Sequence, residues 1–298
     1  MRIQPDEPVH LRHLETLFAR IYRLAEPILG EGLAEFLIFG FREAAACVFA
    51  GCFFLLLALS SHIQVPGLFR YDLLFLGGIG IQLLLLAFRL ETWREVAVLS
   101  LFHLIGVGLE LFKTQPGIAS WSYPEAAFFK IGTVPLYSGF MYAAVASYLI
   151  QAWRLLRVEM EHFPPALPAV ALSVAIYANF FTHHWIWDLR WVLTGAILIL
   201  FRKTWVRFTV VSAPRRMPLA LSFLLIGFFI WVAENIATFF GAWAYPNQAK
   251  AWTLVGPGKI SSWTLLIVIS FIIVAVLKRS LSAPSLRAKR SNPGLATG

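Results

Sequence analysis

The chain has 298 residues, of which 59% are hydrophobic and 14% charged, and 25 Lys/Arg against 16 Asp/Glu leave a formal charge of +9. Soluble domains carry roughly 25% charged residues, so this composition excludes an ordinary soluble enzyme and places the chain in a bilayer. The basic residues lie in loops between apolar runs, an arrangement that fits membrane orientation and makes the lipid bilayer, with no nucleic acid, the expected partner.

Residues 1–42 are expected to form an N-terminal arm in the cytoplasm. It lacks the apolar core and small-residue cleavage site of a signal peptide, so insertion through the first span without processing is expected. Apolar runs near twenty residues then predict eight transmembrane helices, at 43–61, 71–90, 95–112, 131–153, 166–182, 186–201, 218–240 and 260–278. Cys47 and Cys52, five apart in the first run, match neither a disulfide framework nor a zinc spacing and read as small buried residues. The sixth run is short and interrupted by Arg190. Residues 279–298 are polar and basic, rich in Pro and Gly, and read as a disordered cytoplasmic tail.

An even number of spans puts both termini on one side, and charge tests this. The loops that would face the cytoplasm hold 19 of the 25 Lys/Arg, whereas the opposite side holds Arg70, Lys113, Lys130, Arg190, Lys250 and Lys259. The expectation is an all-α, multi-pass bundle of the bacterial inner (plasma) membrane, with both termini inside.

The second half of the chain repeats the first. "ELFKTQPGIASWSYPE" (110–125) and "ENIATFFGAWAYPN" (234–247) both run from a glutamate to a Gly–Trp–x–Tyr–Pro segment. In order, His62 corresponds to His184, Asp72 to Asp188, Arg89 to Arg202, Thr92 to Thr204, Trp93 to Trp205, and Glu110 to Glu234. Four spans per copy give both copies the same orientation. The prediction is therefore a parallel 4+4 internal repeat, with repeat one at 43–153 and repeat two at 154–278.

The ionisable residues gather toward the outer end. Glu110 and Glu234 lie inside apolar runs, where an ionisable group costs about 2.5–3.5 kcal/mol at the bilayer centre. They are the candidate proton donor or acceptor. Candidate ligand-binding residues are Trp121, Tyr123, Trp243, Tyr245, His62, Asp72, His183, His184, Asp188 and Asn235. The aromatic residues also suit an interfacial belt, and the two aspartates suit helix capping beside Arg70 and Arg190. No HExxH, CxxC, phosphate loop or nucleophile elbow occurs. The histidines and carboxylates are of metal-ligand type, but no spacing singles out a metal site, and the sequence leaves any cofactor open.

Through "NFFTHHWIWDLRW" (179–191) and the two Glu…Trp–x–Tyr–Pro segments, the chain resembles a bacterial membrane family of no established activity, domain of unknown function 817. Its layout is also similar, more distantly, to that of the duplicated membrane-type lycopene cyclases. That resemblance implies a helical bundle with a cavity for an apolar, isoprenoid-like molecule under an outer aromatic lid. The cyclases carry paired glutamates after their Pro, where this chain has Tyr137-Ser138 and Ser261-Ser262, so cyclisation of lycopene is not expected. Two functional readings follow. One is binding of an apolar or isoprenoid-like lipid between the repeats, with or without its conversion. The alternative is a small-solute or proton-coupled ion transporter.

Overall fold

A computed structural model describes residues 9–282. The described chain is mostly helical, with ten α-helices: α1 (Val9–Leu29), α2 (Glu31–Ala46), α3 (Val48–Ser60), α4 (Arg70–Ala87), α5 (Trp93–Thr114), α6 (Gly139–Leu155), α7 (Ala166–Thr182), α8 (Arg190–Leu200), α9 (Leu219–Phe239) and α10 (Lys259–Ser282). Three of them, α4, α5 and α9, are long and apolar enough to cross a membrane. The bent pair α2–α3 makes a fourth if it is counted as one span, and α7, α8 and the first part of α10 are shorter apolar helices.

Each predicted run contains a helix, but several edges move. The first run is broken at Cys47, where α2 and α3 meet at 68°. All the charges of this region, Glu31, Glu35, Arg42 and Glu43, belong to α2, whereas α3 is uncharged. The chain therefore bends where polar anchoring ends. Cys47 is half-buried and Cys52 exposed, so the reading of both as buried is corrected for Cys52.

The fourth run opens not as helix but as a hairpin of β1 (Lys130–Ile131) and β2 (Val134–Pro135), and α6 starts at Gly139. In the sixth predicted run the helix, α8, starts only at Arg190, where the Asp188 side chain accepts the Arg190 N–H at 3.0 Å and Asn179 Oδ1 accepts the Leu189 N–H at 2.9 Å. Side-chain acceptors thus satisfy backbone donors of the helix's first turn. The C-terminal tail starts later than 279, since α10 continues to Ser282, and residues 283–298 lie outside the described residues.

Capping explains the sharp helix ends. Thr92 and Glu95 form a capping box at the start of α5, with bonds of 3.3 and 2.7 Å. At the end of α9, Ala242 N–H returns to Ala237 O and Gly241 N–H to Thr238 O, both at 3.0 Å. The φ of +70° at Gly241 makes this reversal strain-free. The same closure ends α4 at Arg89 and α6 at Arg157, each in the left-handed region.

Two features were not legible as elements. Helix α1 is strongly amphipathic and packs on α2. A three-stranded antiparallel sheet joins β3 (Glu159–Glu161), β4 (Trp205–Thr209) and β5 (Pro214–Pro218), so the all-α expectation needs this correction. Arg42 knits these parts together. It donates to Glu15 on α1 twice at 2.7 Å, to Val210 O at 2.8 Å and to Leu155 O at 2.6 Å, with both charged side chains buried.

Helix packing follows one pattern twice. Helix α3 packs on α4 and α6, as α7 packs on α8 and α10; α5 packs on α6, as α9 packs on α10. The corresponding helices α6 and α10 pack on each other. The apolar core runs continuously through both sets, from Phe49, Leu74 and Tyr137 to Phe201, Phe223 and Val268.

Candidate functional site

The site is built at one end of the bundle, where α5 and α9 finish and the loops after them fold back. Glu110 sits one turn before the end of α5 and Glu234 the same way along α9, and both are buried, at 2% and 3% exposure. A carboxylate in this position must be given donors, and the following loop and the helix after it supply them.

Glu110 Oε2 accepts the Trp121 indole N–H at 2.6 Å and the Tyr123 hydroxyl at 2.7 Å, and its Oε1 accepts the Tyr142 hydroxyl at 2.8 Å. Glu234 Oε1 accepts the Tyr245 hydroxyl at 2.5 Å, and its Oε2 accepts the Trp263 indole N–H at 2.9 Å. Each carboxylate is therefore held by one indole and at least one phenol. Burial, and then the Glu110 charge, push the Tyr123 phenol well above its ordinary range; burial and Glu234 do the same to Tyr245. Both phenols remain O–H donors across the physiological range.

The two Trp–x–Tyr segments meet. Ser122 N–H donates to Ala244 O at 2.9 Å and Ala244 N–H to Ser122 O at 3.0 Å, a reciprocal antiparallel bridge between corresponding residues. The Trp121 and Tyr245 rings pack edge to face, 6.1 Å apart. Above them lies Lys259 Nζ, 4.6 Å from the Tyr245 ring centre and 5.6 Å from that of Trp121. This cation lies within electrostatic reach of both glutamates.

Glu110, Trp121 and Tyr123 are thus brought together, as are Glu234 and Tyr245. Trp243 is buried beside this cluster, but the indole bonded to Glu234 is that of Trp263. Asn235 acts locally: it donates to Trp231 O and accepts from Val255 N–H, both at 2.8 Å, and so ties α9 to the loop before α10.

The remaining candidates go elsewhere. Asp72 is fully buried and accepts the N–H groups of Phe128 and Phe129 at 2.8–3.0 Å, which holds the loop into β1. Arg70 does not pair with Asp72; it bonds Glu125 and Phe240 O, each at 2.5 Å. Asp188 does pair with Arg190, at 2.6 Å, and caps α8. His62 is exposed in the turn after α3. His183 stacks on His184 at 4.1 Å, and His184 Nε2 lies 2.8 Å from Lys113 Nζ, which also donates to Phe180 O at 2.7 Å. Burial, then the Lys113 and His183 charges, push His184 down to about 4. Among the described residues no three His, Cys, Asp or Glu side chains gather closely enough to hold a metal ion.

Tyr142, Trp263, Lys259 and Lys113 are missing from the expected site. Lys113 and Lys259 carried one available signal, as two of only six basic residues assigned to the outer side.

Fold and site together define a mostly helical protein with membrane-length apolar helices and two buried glutamates, each caged by Trp and Tyr. The chain belongs to the family described as "Protein of unknown function (DUF817)", whose model matches residues 35–271. It is 56% identical over 241 residues to "Uncharacterized protein YoaT" of Bacillus subtilis (strain 168), a match covering 81% of this chain and 90% of that relative. Among solved structures it is similar to a cross-linked MvINS trimer, with 14% identity and a TM-score of 0.44 over 66% of this chain and 98% of the other.

Proposed function

We propose that the protein is an eight-span inner-membrane protein, made of two parallel four-helix repeats with both termini inside, that binds an apolar, isoprenoid-like lipid at the outer seam between the repeats. The repeats follow the boundaries 43–153 and 154–278, after a cytoplasmic arm and before a cytoplasmic tail. Support for the duplication comes from the matching helix contacts of the two halves and from the reciprocal Ser122–Ala244 bridge. A pairing of equivalent residues, each donor to the other, is what a twofold axis along the membrane normal produces.

The observation that carries the functional reading is the pair of caged carboxylates. Each glutamate lies in a membrane-length helix, yet its acceptors face Trp and Tyr donors from the loop and the next helix. A tyrosine hydroxyl can turn from donor to acceptor, whereas an indole N–H cannot. Each cage can therefore take up or release one proton at the carboxylate by rotating a phenol, without moving backbone. That suits Glu110 and Glu234 as proton donor or acceptor toward a bound lipid, and chemistry on that lipid is an extension of the same reading. Trp121 and Tyr123 are half-buried, so the network lies one side chain below the surface. A neighbouring cleft of about 40 Å³ is too small to enclose a polyene, so the lipid would lie along the outside of the cages. Exposed Trp185, Trp187 and Trp191 would anchor this end at the membrane interface. Transport, the alternative, draws on the same acids, but the caged groups gather at one end rather than along a path.

The reading is tested by titrating a C40 polyene into protein in mild detergent and following quenching of tryptophan fluorescence. Saturable quenching that is lost in Glu110→Gln/Glu234→Gln supports it, and quenching that matches empty micelles sinks it.

A further inference from the structure

Beside the glutamate cages lies the small cleft between the end of α7, the start of α8 and the first turns of α10. Asn179, His183, Asp188, Arg190 and Ser262 line it together with apolar residues such as Ile176, Leu265 and Ile269. The polar groups are not evenly charged. Asp188 is the single carboxylate in that lining, and it is occupied: Oδ2 takes Arg190 Nε–H at 2.6 Å, while Oδ1 takes the Arg190 N–H at 3.0 Å and Asn179 Nδ2 at 3.3 Å. The two terminal nitrogens of Arg190 make no hydrogen bond among the described residues, so its outward fork is available.

Two further cations face the same region. Lys259 stands one turn before Ser262 on α10 and, among the described residues, its ammonium has neither ion pair nor hydrogen bond; only the two aromatic rings lie beneath it. It is within electrostatic reach of Arg190, and so is Lys113, whose ammonium is tethered at the cleft wall to Phe180 O. The three carboxylates near these cations, Asp188, Glu110 and Glu234, already have their donors, so the terminal nitrogens of Arg190 and the Lys259 ammonium are left without an acceptor among the described residues. A planar arginine fork with free terminal N–H groups is the side chain that best matches a phosphate.

We infer that Arg190 and Lys259 bind the phosphate or pyrophosphate headgroup of a lipid whose apolar chain lies along the adjacent outer surface of the cages. The source is the lipid rather than free phosphate, because Ile176, Leu265 and Ile269 line the same cleft as Arg190. His183 and Ser262 would complete the headgroup contacts. This inference rests on the lipid-binding reading and narrows its ligand from an apolar molecule to a prenyl phosphate.

Native mass spectrometry of the full chain in detergent tests it, with a C55 prenyl phosphate, the matching prenyl alcohol and inorganic phosphate as probes. The expected result is a one-to-one adduct with the prenyl phosphate, about tenfold or more weaker for the alcohol and for inorganic phosphate. Lys259→Met should weaken the phosphate adduct by about tenfold and leave the alcohol unchanged. Arg190→Gln should do the same, and because Arg190 also braces the α8 cap, Lys259→Met guards against a folding defect. Equal binding of alcohol and phosphate, untouched by Lys259→Met but lost in Glu110→Gln/Glu234→Gln, would overturn the headgroup site and leave the lipid reading standing. Inorganic phosphate binding as tightly as the lipid would overturn the lipid as its source. No adduct with either lipid would remove both.

Discussion

Replacing Glu110 by Gln and by Ala separates the cage from the space it fills. Gln keeps the shape. With its carbonyl toward Trp121 and Tyr123, it still accepts the bonds now at 2.6 and 2.7 Å, and the Tyr142 hydroxyl can turn to accept from the amide. What is lost is charge assistance, from about 1.5–3 kcal/mol per bond to about 0.5–1.5. Across three bonds that is about 3 kcal/mol, which a folded domain of about 5–15 kcal/mol survives. Ala strands all three donors at about 1–3 kcal/mol each and adds a cavity. The total approaches the whole stability of the fold, and the Trp121 N–H, which cannot reverse, is the donor least able to adapt. Thermal unfolding in mild detergent, read by near-ultraviolet circular dichroism, should therefore give Glu110→Gln a modest loss and Glu110→Ala a severe one. Ala as stable as Gln would refute the claim that this carboxylate anchors the loop.

Other consequences follow from the same contacts. Arg42→Met should cost about 3–5 kcal/mol, because it leaves Glu15 as a buried charge without its partner; Arg42→Met/Glu15→Leu should recover most of that in the same thermal assay. Ala244→Pro removes one of the two bridge donors and should cost about 1–3 kcal/mol, with faster hydrogen exchange at Ser122 as the local readout. His184 should stay neutral well below its ordinary value of 6.5 and titrate near about 4 in the protein's histidine NMR spectrum. The unfolded chain then binds the extra proton between those values. That contribution to stability is complete above about 6.5 and is lost as pH falls toward about 4, a dependence that His184→Asn should reduce. Reporter fusions at both termini should read as cytoplasmic, and a periplasmic signal at either end would break the eight-span topology.

Much of the site was legible because its key residues are improbable where they stand. A glutamate inside an apolar run needs a partner, and its recurrence before a Trp–x–Tyr segment in both halves pointed to the loop. The partners from the next helix were hidden. Tyr142 lies 32 residues after Glu110 and Trp263 lies 29 after Glu234, in runs where an aromatic residue carries no signal of its own. Trp243 corresponds to Trp121 in the repeat, but the loop of the second half is two residues shorter and Trp263 takes the bond to Glu234. Asp188 caps α8 beside Arg190, as its place in the sequence suggested, whereas Asp72 answers to the Phe128 and Phe129 N–H groups, 56 and 57 residues away, rather than to Arg70. The Arg42 contacts were hidden as well, because Glu15, Leu155 and Val210 come from three separate parts of the chain.

If the two caged glutamates mark the binding place of a specific apolar lipid, that lipid should travel with the protein through purification. Mass spectrometry of the organic extract from purified wild-type protein, set beside that of Glu110→Gln/Glu234→Gln, asks this directly. A stoichiometric isoprenoid in the wild type that is missing from the double variant is the predicted result. The same bulk membrane lipids in both extracts, with no specific molecule in either, would contradict it.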